Sequence, residues 1–287
     1  MASTTALKQR IKSVRSTRQI TKAMQLVSAS KMRRAQEYAF RSRDYRDAAT
    51  ELLQRLGAID EVAKEPLFQK RKVNDRLYVV VTSNSGLAGA YNANILKLLG
   101  QALKADRDAG VTSHVTTIGS KAAQFVRRVK GADLQAAYSA LGDHPTANDI
   151  RPVLNSILEQ YKTEKVDEVR VLFTEFKSNL VQEAQSLQLL PATPLKSDKP
   201  VPPADFEPDL ETVVEQVTTR LVEAQVWQAV LESLASEHSM RMIAMKNATD
   251  NANDLIDDYT LEYNTARQAG ITQELAEITG GAEALNG

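Results

Sequence analysis

The residues able to do chemistry are few and poorly matched to one another. Val79–Thr82 is followed by Ser83-Asn84-Ser85-Gly86-Leu87-Ala88-Gly89-Ala90 and then a helical pattern. A strand, a glycine-bearing turn and a helix N-terminus can cradle a phosphate with backbone N–H groups. The spacing here is G-x-x-G, without the Lys-Ser/Thr pair of a P-loop or the third glycine of a dinucleotide fingerprint. A tight turn opening a helix is the better reading. Two carboxylate pairs, Asp257/Asp258 and Glu274/Glu277, lie in long helical patterns, where a charged helix surface is the default. His114, His144 and His238 have no metal-ligand spacing. The sequence contains no cysteine, which excludes a thiolate zinc site, a cysteine nucleophile and a disulfide scaffold. Lys8–Arg34 superficially resembles the basic region of a nucleic-acid binder, but no aromatic residue lies among its basic positions. These readings predict no active site, no cofactor and no metal.

The elements that would carry such residues are unevenly built. The chain has 287 residues with 36 basic and 36 acidic side chains, enough for one or two domains. Its ends are of opposite sign. Residues 1–57 carry 13 Lys/Arg against 4 Asp/Glu, and residues 205–287 carry 4 against 16. Such asymmetry signals an interaction surface. All nine prolines lie between Pro66 and Pro208, and glycine is absent before Gly57 and between Gly142 and Gly270. Both ends are therefore free to form long helices. No apolar run approaches the ~18 residues of a membrane span.

Beginning after Pro208-Asp209, apolar residues recur at alternating four and three spacing: Leu210, Val214, Val217, Leu221, Ala224, Leu231, Ala235, Met242, Met245, Ala252, Ile256, Tyr259, Tyr263 and Ala266. Only Gln228, His238 and Thr249 interrupt the series with polar groups. This is a coiled-coil seam on a helix that would be ~115 Å long. The N-terminal stripe is less regular. Leu7, Ile11 and Val14 begin it, Ile20, Met24 and Val27 continue it with a phase shift, and Tyr38, Tyr45, Ala49, Leu52 and Leu56 finish it, with Gly57 as C-cap. The two helices are expected to pair antiparallel, with Met24 near Met242 and Leu7 near Tyr259, their opposite charges favouring the pairing.

The middle alternates strand and helix: strand Leu77–Thr82, helix Asn92–Ala109, strand Val111–Ile118, helix Lys121–Val129, helix Ala147–Thr163, strand Val169–Phe173, a turn region Lys177–Gln185 and strand Ser186–Leu190. The fold class expected is α/β: a long antiparallel coiled coil of the terminal helices plus a central α/β domain with a mostly parallel sheet. The expected boundaries are 1–57, 58–208 and 209–287, with Leu190–Asp209 as an extended linker. On this pairing the last ~20 residues have no partner, yet Ile271, Leu275, Ile278, Ala282 and Leu285 continue an apolar stripe. That stripe reads as a binding surface.

Three blocks carry a resemblance. Ser16-Thr17-Arg18-Gln19-Ile20-Thr21-Lys22-Ala23-Met24-Gln25-Leu26-Val27-Ser28-Ala29-Ser30-Lys31, then Met242-Ile243-Ala244-Met245-Lys246-Asn247-Ala248-Thr249-Asp250-Asn251-Ala252, then Tyr263 through Ala282 resemble the F-type ATP synthase gamma subunit family, bacterial type, in order, spacing and total length. The sequence departs from the family at Asn84-Ser85, where Asp-Arg is commoner, and at Thr279, where Val is frequent. The resemblance implies a rotor shaft without an active site of its own. Such a shaft couples transmembrane proton flow to ATP synthesis or hydrolysis on a hexamer of alpha and beta subunits. It implies that Lys22, Met24 and Lys31 face catalytic-subunit loops. It implies polar contacts with the hexameric sleeve from Arg241, Arg267, Gln268, Thr272 and Gln273, and an apolar bearing at Ile271, Leu275 and Ile278. Phe206-Glu207 would lie near the membrane c-ring, and the middle domain would meet the epsilon subunit. No nucleic-acid partner and no direct lipid insertion are expected. Because the family block begins by Leu7, no presequence is expected, and the expected location is the cytoplasmic face of a bacterial plasma membrane, as a peripheral protein.

Overall fold

Asp75–Val81 (β1) contains the strongest β-forming run in the chain, Tyr78-Val79-Val80-Val81, and takes the centre of a five-stranded sheet. The computed structural model describes residues 4–56, 65–139, 141–142, 145–192 and 209–286. Its elements are α1 (Thr4–Leu56), β1, α2 (Tyr91–Ala109), β2 (Thr112–Ile118), α3 (Ser120–Val126), β3 (Ala132–Tyr138), α4 (Ala147–Lys162), β4 (Glu168–Phe176), β5 (Gln182–Leu190) and α5 (Leu210–Asn286). Strand order is β3-β2-β1-β4-β5. β1 pairs in parallel with β2 and β4, β2 pairs in parallel with β3, and only β5 runs antiparallel, against β4. The sheet is mixed and mostly parallel, as its strand–helix alternation requires.

The two-residue period of β1 divides the interior. Leu77, Val79 and Val81 join one core with Val169 and Val171 of β4, Ile150, Val153 and Ile157 of α4, and Leu221, Val222, Val226 and Val230 of α5. Tyr78 and Val80 join the opposite core with Val115, Ile95 and Leu99 of α2 and Ala122 and Val126 of α3. α2 presents Tyr91, Ile95, Leu99 and Leu103 at four-residue spacing and ends on Gly110, whose φ of 73° is left-handed. A capping box between Thr146 and Asp149 starts α4. At the amino ends of the strands, buried Asp106 accepts from Tyr78 Oη (2.7 Å) and Ser113 Oγ (2.9 Å) and pairs with Arg76, which also reaches Glu168 (3.0 Å). Burial and the adjoining Asp106 carboxylate push the Tyr78 hydroxyl up to about 12.

Two strand assignments differ from the sequence reading. β3 is an additional strand, and its Ala-rich ADLQAAY carries no β-branched residue to announce it. β5 begins at Gln182 within the expected turn region, which contracts to the residues before it. Its Glu183 is exposed, while half-buried Gln182 and Gln185 donate to Ser239 and Glu175.

The chain forms two compact units, one of residues 29–241 and one of residues 1–28 with 242–287. In the latter, α1 and α5 pack antiparallel. The Thr249 hydroxyl donates to that of buried Thr21 (2.8 Å), which donates to the Arg18 carbonyl (3.0 Å). Arg18 Nη1 donates to Asn253 Oδ1 (3.3 Å), and the Arg10 guanidinium lies 5.9 Å from the Tyr259 ring centre. These pairs set the register about one turn (~3.6 residues) from that expected for Met24 and Leu7. Contacts between side chains along the seam fix it, rather than the positions where the helices begin and end. In the unit of residues 29–241 the same two helices meet where Ser42 donates to Gln228.

The α5 seam is where it was expected: every described seam residue from Val214 to Ala266 is buried or half-buried. The α1 seam is not. Buried or half-buried positions run Leu7, Ile11, Val14, Arg18, Thr21, Gln25, Ser28, Met32, Ala35, Ala39 and Ser42 with no phase shift, while Ile20 and Val27 are 58% and 54% exposed. Small and polar residues continue the heptad because they let the helices approach closely and pair their hydroxyls. The side chains of Tyr45, Leu52 and Leu56, and Gly57, lie outside the described residues, as do residues 193–208 of the expected linker.

The corrected seam predicts different outcomes for two isoleucines of one helix. Ile11→Ala removes a buried side chain and should cost ~2–4 kcal/mol. Ile20→Ala should cost under ~0.5 kcal/mol, as at an ordinary surface site. Thermal unfolding of the full chain followed by circular dichroism separates the two, and equal losses would contradict this register.

Candidate functional site

In doubly wound sheets a ligand crevice opens at the carboxyl ends of the strands where the chain reverses its direction of travel across the sheet. Here that point lies between β1 and β4. The pairing of β1 with β4 ends at Val80 and Leu172, which leaves Thr174 without a β1 partner. Helix α5 supplies one. Ser233 Oγ accepts from the Thr174 N–H (3.0 Å) and Ser236 Oγ donates to its carbonyl (3.2 Å). One turn on, Ser239 Oγ donates to the Asn179 carbonyl (3.0 Å). The crevice is filled by the protein's own helix.

The glycine-bearing turn faces the same helix. Several of its polar groups are engaged internally. The Ser83 N–H donates to Asn92 Oδ1 (3.1 Å), Asn84 Oδ1 accepts from the Ser120 N–H (3.1 Å), and Ser120 Oγ donates to the Asn84 carbonyl (3.0 Å). Gly119 has a φ of 104°, and a Cβ there would stand 2.0 Å from the Thr82 carbonyl oxygen, so only glycine allows this approach. A cation meets the turn. Arg241 Nη2 donates to Ser85 Oγ (3.2 Å) and to the Gly86 carbonyl (3.4 Å), and it pairs with Glu237 Oε1 at 2.7 Å. A turn that offers its carbonyl to a guanidinium is not arranged to hold a phosphate. Burial pushes the Glu237 carboxyl up, and Arg241 and Lys31 pull it back toward the ionised form. Burial and Glu237 likewise raise the Tyr91 hydroxyl, which bonds Ser233.

The other singled-out residues fall into two groups. On the unit of residues 1–28 with 242–287, Lys22 is exposed with its Nζ donating to Gln25 (3.3 Å), and Met24 is half-buried. Lys22 shares an open groove of about 530 Å³ with Gln19, Ala23, Leu26 and Asp250. Beside it Ile20, Leu26 and Val27 form an exposed apolar strip. From Arg267 to Ala282 every side chain of α5 is exposed, including Arg267, Gln268, Thr272 and Gln273, and the stripe residues Ile271, Leu275 and Ile278 at 47–69%. In the unit of residues 29–241, Lys31 is half-buried and Arg241 is spent within the chain. Phe206, Glu207 and His144 lie outside the described residues. His114 sits between Asp75 and Asp133, each 3.0 Å away. Among the described residues no cluster of three or more acidic or histidine side chains could hold a metal, and no helix is long and apolar enough to cross a membrane.

Sequence reasoning missed Glu237, Ser233, Ser236 and the Ser85 contact. The three-residue recurrence of Ser233, Ser236 and Ser239 marks a second face of α5. It competes poorly for attention with the stronger apolar seam.

In this architecture a helix pair carries an α/β domain and fills that domain's strand-end crevice with one of its own helices. The family described as ATP synthase matches residues 3–285, and the chain belongs to it. It is similar to the ATP synthase gamma chains of Xylella fastidiosa (strain M12), at 42% identity over 289 residues, and of Stenotrophomonas maltophilia (strain K279a), at 42% over 291. Each alignment covers 99% of this chain and 100% of the relative. The fold resembles a chain in the rotor of the Euglena gracilis mitochondrial ATP synthase, with a TM-score of 0.65, 18% identity and coverage of 93% and 98%.

Because Arg241 occupies the turn and α5 fills the crevice, millimolar ATP or inorganic phosphate should move the melting temperature of the isolated chain by less than ~1 °C. A rise of several degrees, which tight binding would impose through mass action, would contradict the closed crevice.

Proposed function

We propose that this gamma-type chain is the central rotor shaft of an F-type ATP synthase, turning inside a hexameric sleeve of alpha and beta subunits and coupling transmembrane proton flow to ATP synthesis or hydrolysis there. The observation that carries this reading is the unmatched end of α5. Seam burial stops at Ala266, yet Ile271, Leu275 and Ile278 keep their four-three spacing while exposed. A continuing apolar stripe with no partner in its own chain calls for one outside it. A single asymmetric helix pair cannot meet three equivalent catalytic sites alike. Its angular position therefore favours a different conformation at each site, which is the differential interaction that coupling requires.

In this reading Ile271, Leu275 and Ile278 sit in an apolar bearing, with Arg267, Gln268, Thr272 and Gln273 making polar contacts around it. Lys22, Met24 and Lys31 address catalytic-subunit loops. The exposed Lys8, Lys12, Arg15 and Lys22 offer those loops a positive surface. The globular region meets the epsilon subunit, and Phe206-Glu207 lies toward the membrane c-ring. The protein stands peripherally on the cytoplasmic face of a bacterial plasma membrane. Support for assembly with such partners comes from the full-length likeness to bacterial gamma chains and the like-folded rotor chain. Arg241, whose guanidinium is committed internally, is not among the residues proposed for the sleeve.

Two measurements test the reading. Replacing Ile271, Leu275 and Ile278 together with Ser should leave the chain's thermal unfolding nearly unchanged and weaken assembly with the alpha/beta hexamer at least ~10-fold, since ~1.4 kcal/mol of lost burial suffices for that. Leu261, 70% exposed, suits a cross-link. A disulfide from Leu261→Cys to a cysteine on the facing catalytic subunit should stop multi-turnover ATP hydrolysis until reductant is added. Full activity with that bond closed would mean that the shaft does not turn.

A further inference from the structure

Between Ser233 and Arg241, one face of α5 is bonded to both lips of the β1/β4 crevice. On one lip it engages the backbone of Thr174 through Ser233 and Ser236, and the Asn179 carbonyl through Ser239, whose hydroxyl also accepts from Gln182 Nε2 (3.3 Å). On the other it holds Ser85 and Gly86 through Arg241. The Arg241 and Glu237 side chains are 9% and 10% exposed. A helix seated only by apolar contacts can slide or roll in its groove, because those contacts are non-directional. Directional bonds to two separate loops remove that freedom. A buried ion pair adds little net stability over an apolar pair of the same shape, and its attested use is to specify one arrangement. The planar guanidinium suits this task, since its donors are fixed in a fork. Nη1 also approaches His238 Nδ1 (3.4 Å), while Glu237 feels Lys31 of α1. Groups from α1, α5 and the turn before α2 thus converge on one cluster.

We propose that Glu237 and Arg241, seated on Ser85 and Gly86, form a torsional lock that makes the globular α/β region and α5 turn as one body. Arg241 is here a positioning residue that acts through the turn of residues 83–89, in the place where related sheets accept a ligand. The inference rests on the rotor reading, since a lock against twisting has a purpose only in a part that transmits torque.

The test uses the full chain, alone and in the assembled complex. In hydrogen exchange on the isolated chain, Arg241→Met should speed exchange of the amides of residues 83–89 at least tenfold and leave β2 amides unchanged. Arg241→Lys keeps a charge for Glu237 but loses the fork, and should loosen the same turn to a lesser extent. Ser85→Ala removes a single acceptor without disturbing the helix pair and should show the smaller effect even if Arg241→Met fails to fold. In the complex, ion pumping per ATP hydrolysed should fall severalfold for Arg241→Met and less for Arg241→Lys, an ordering that simple loss of folded protein would not produce. Unchanged exchange at 83–89 in every variant overturns the lock. So does a loosened turn with undiminished pumping per ATP. The Leu261 cross-link reports on rotation independently, so a wild-type shaft that turns while these variants remain fully coupled defeats the lock and leaves the rotor intact.

Discussion

The structure depends on how α5 is buried between Val214 and Arg241. A lone helix is marginal in water, and a long one persists only where tertiary packing covers an apolar face. This segment is covered on two. One face forms the seam with α1, and the other enters the sheet core through Val222, Val226 and Val230 and the crevice through its serines. Even Glu223, Glu232 and Glu237 are nearly enclosed. The α/β domain and the helix pair of this unit therefore share one helix as a structural wall.

Closing the crevice with a helix has a chemical consequence. The doubly wound topology, the glycine-bearing turn and the helix N-terminus together make a place where many proteins bind phosphate. Here Asn92 takes the N–H of Ser83, and the turn offers a carbonyl to Arg241. The fold keeps the shape of a nucleotide site and reverses its electrostatics. Fold resemblance alone does not decide the chemistry, and here α5 and Arg241 stand where a ligand would sit.

The two helices divide their surfaces by polarity in an unusual way. α1 places Thr21, Ser28 and several alanines in the seam and leaves Ile20, Leu26 and Val27 outside. Small seam residues permit close approach, and the Thr21–Thr249 hydroxyl pair fixes register more narrowly than interchangeable leucines would. The apolar residues set outside, together with the exposed basic ones, are then available to a surrounding partner.

Much of this was legible in the sequence, for a physical reason. The α5 heptads, the Val-rich β1 and the strand–helix alternation are local patterns whose periods dictate their structure. Three long blocks in the right order pointed to the family that matches residues 3–285. What the sequence did not disclose depended on neighbours. Ile20 and Val27 read as seam because they are apolar, yet the position of α5 assigned the seam to Thr21 and Ser28. Ala-rich β3 and polar β5 are strands only because β2 and β4 offer them hydrogen bonds. Arg241 has the composition of a surface contact, and only the turn at Ser85–Gly86, 155 residues away in the chain, made it an internal clamp. Local periodicity specifies helices and strands, while tertiary proximity decides which of their faces remain available to a partner.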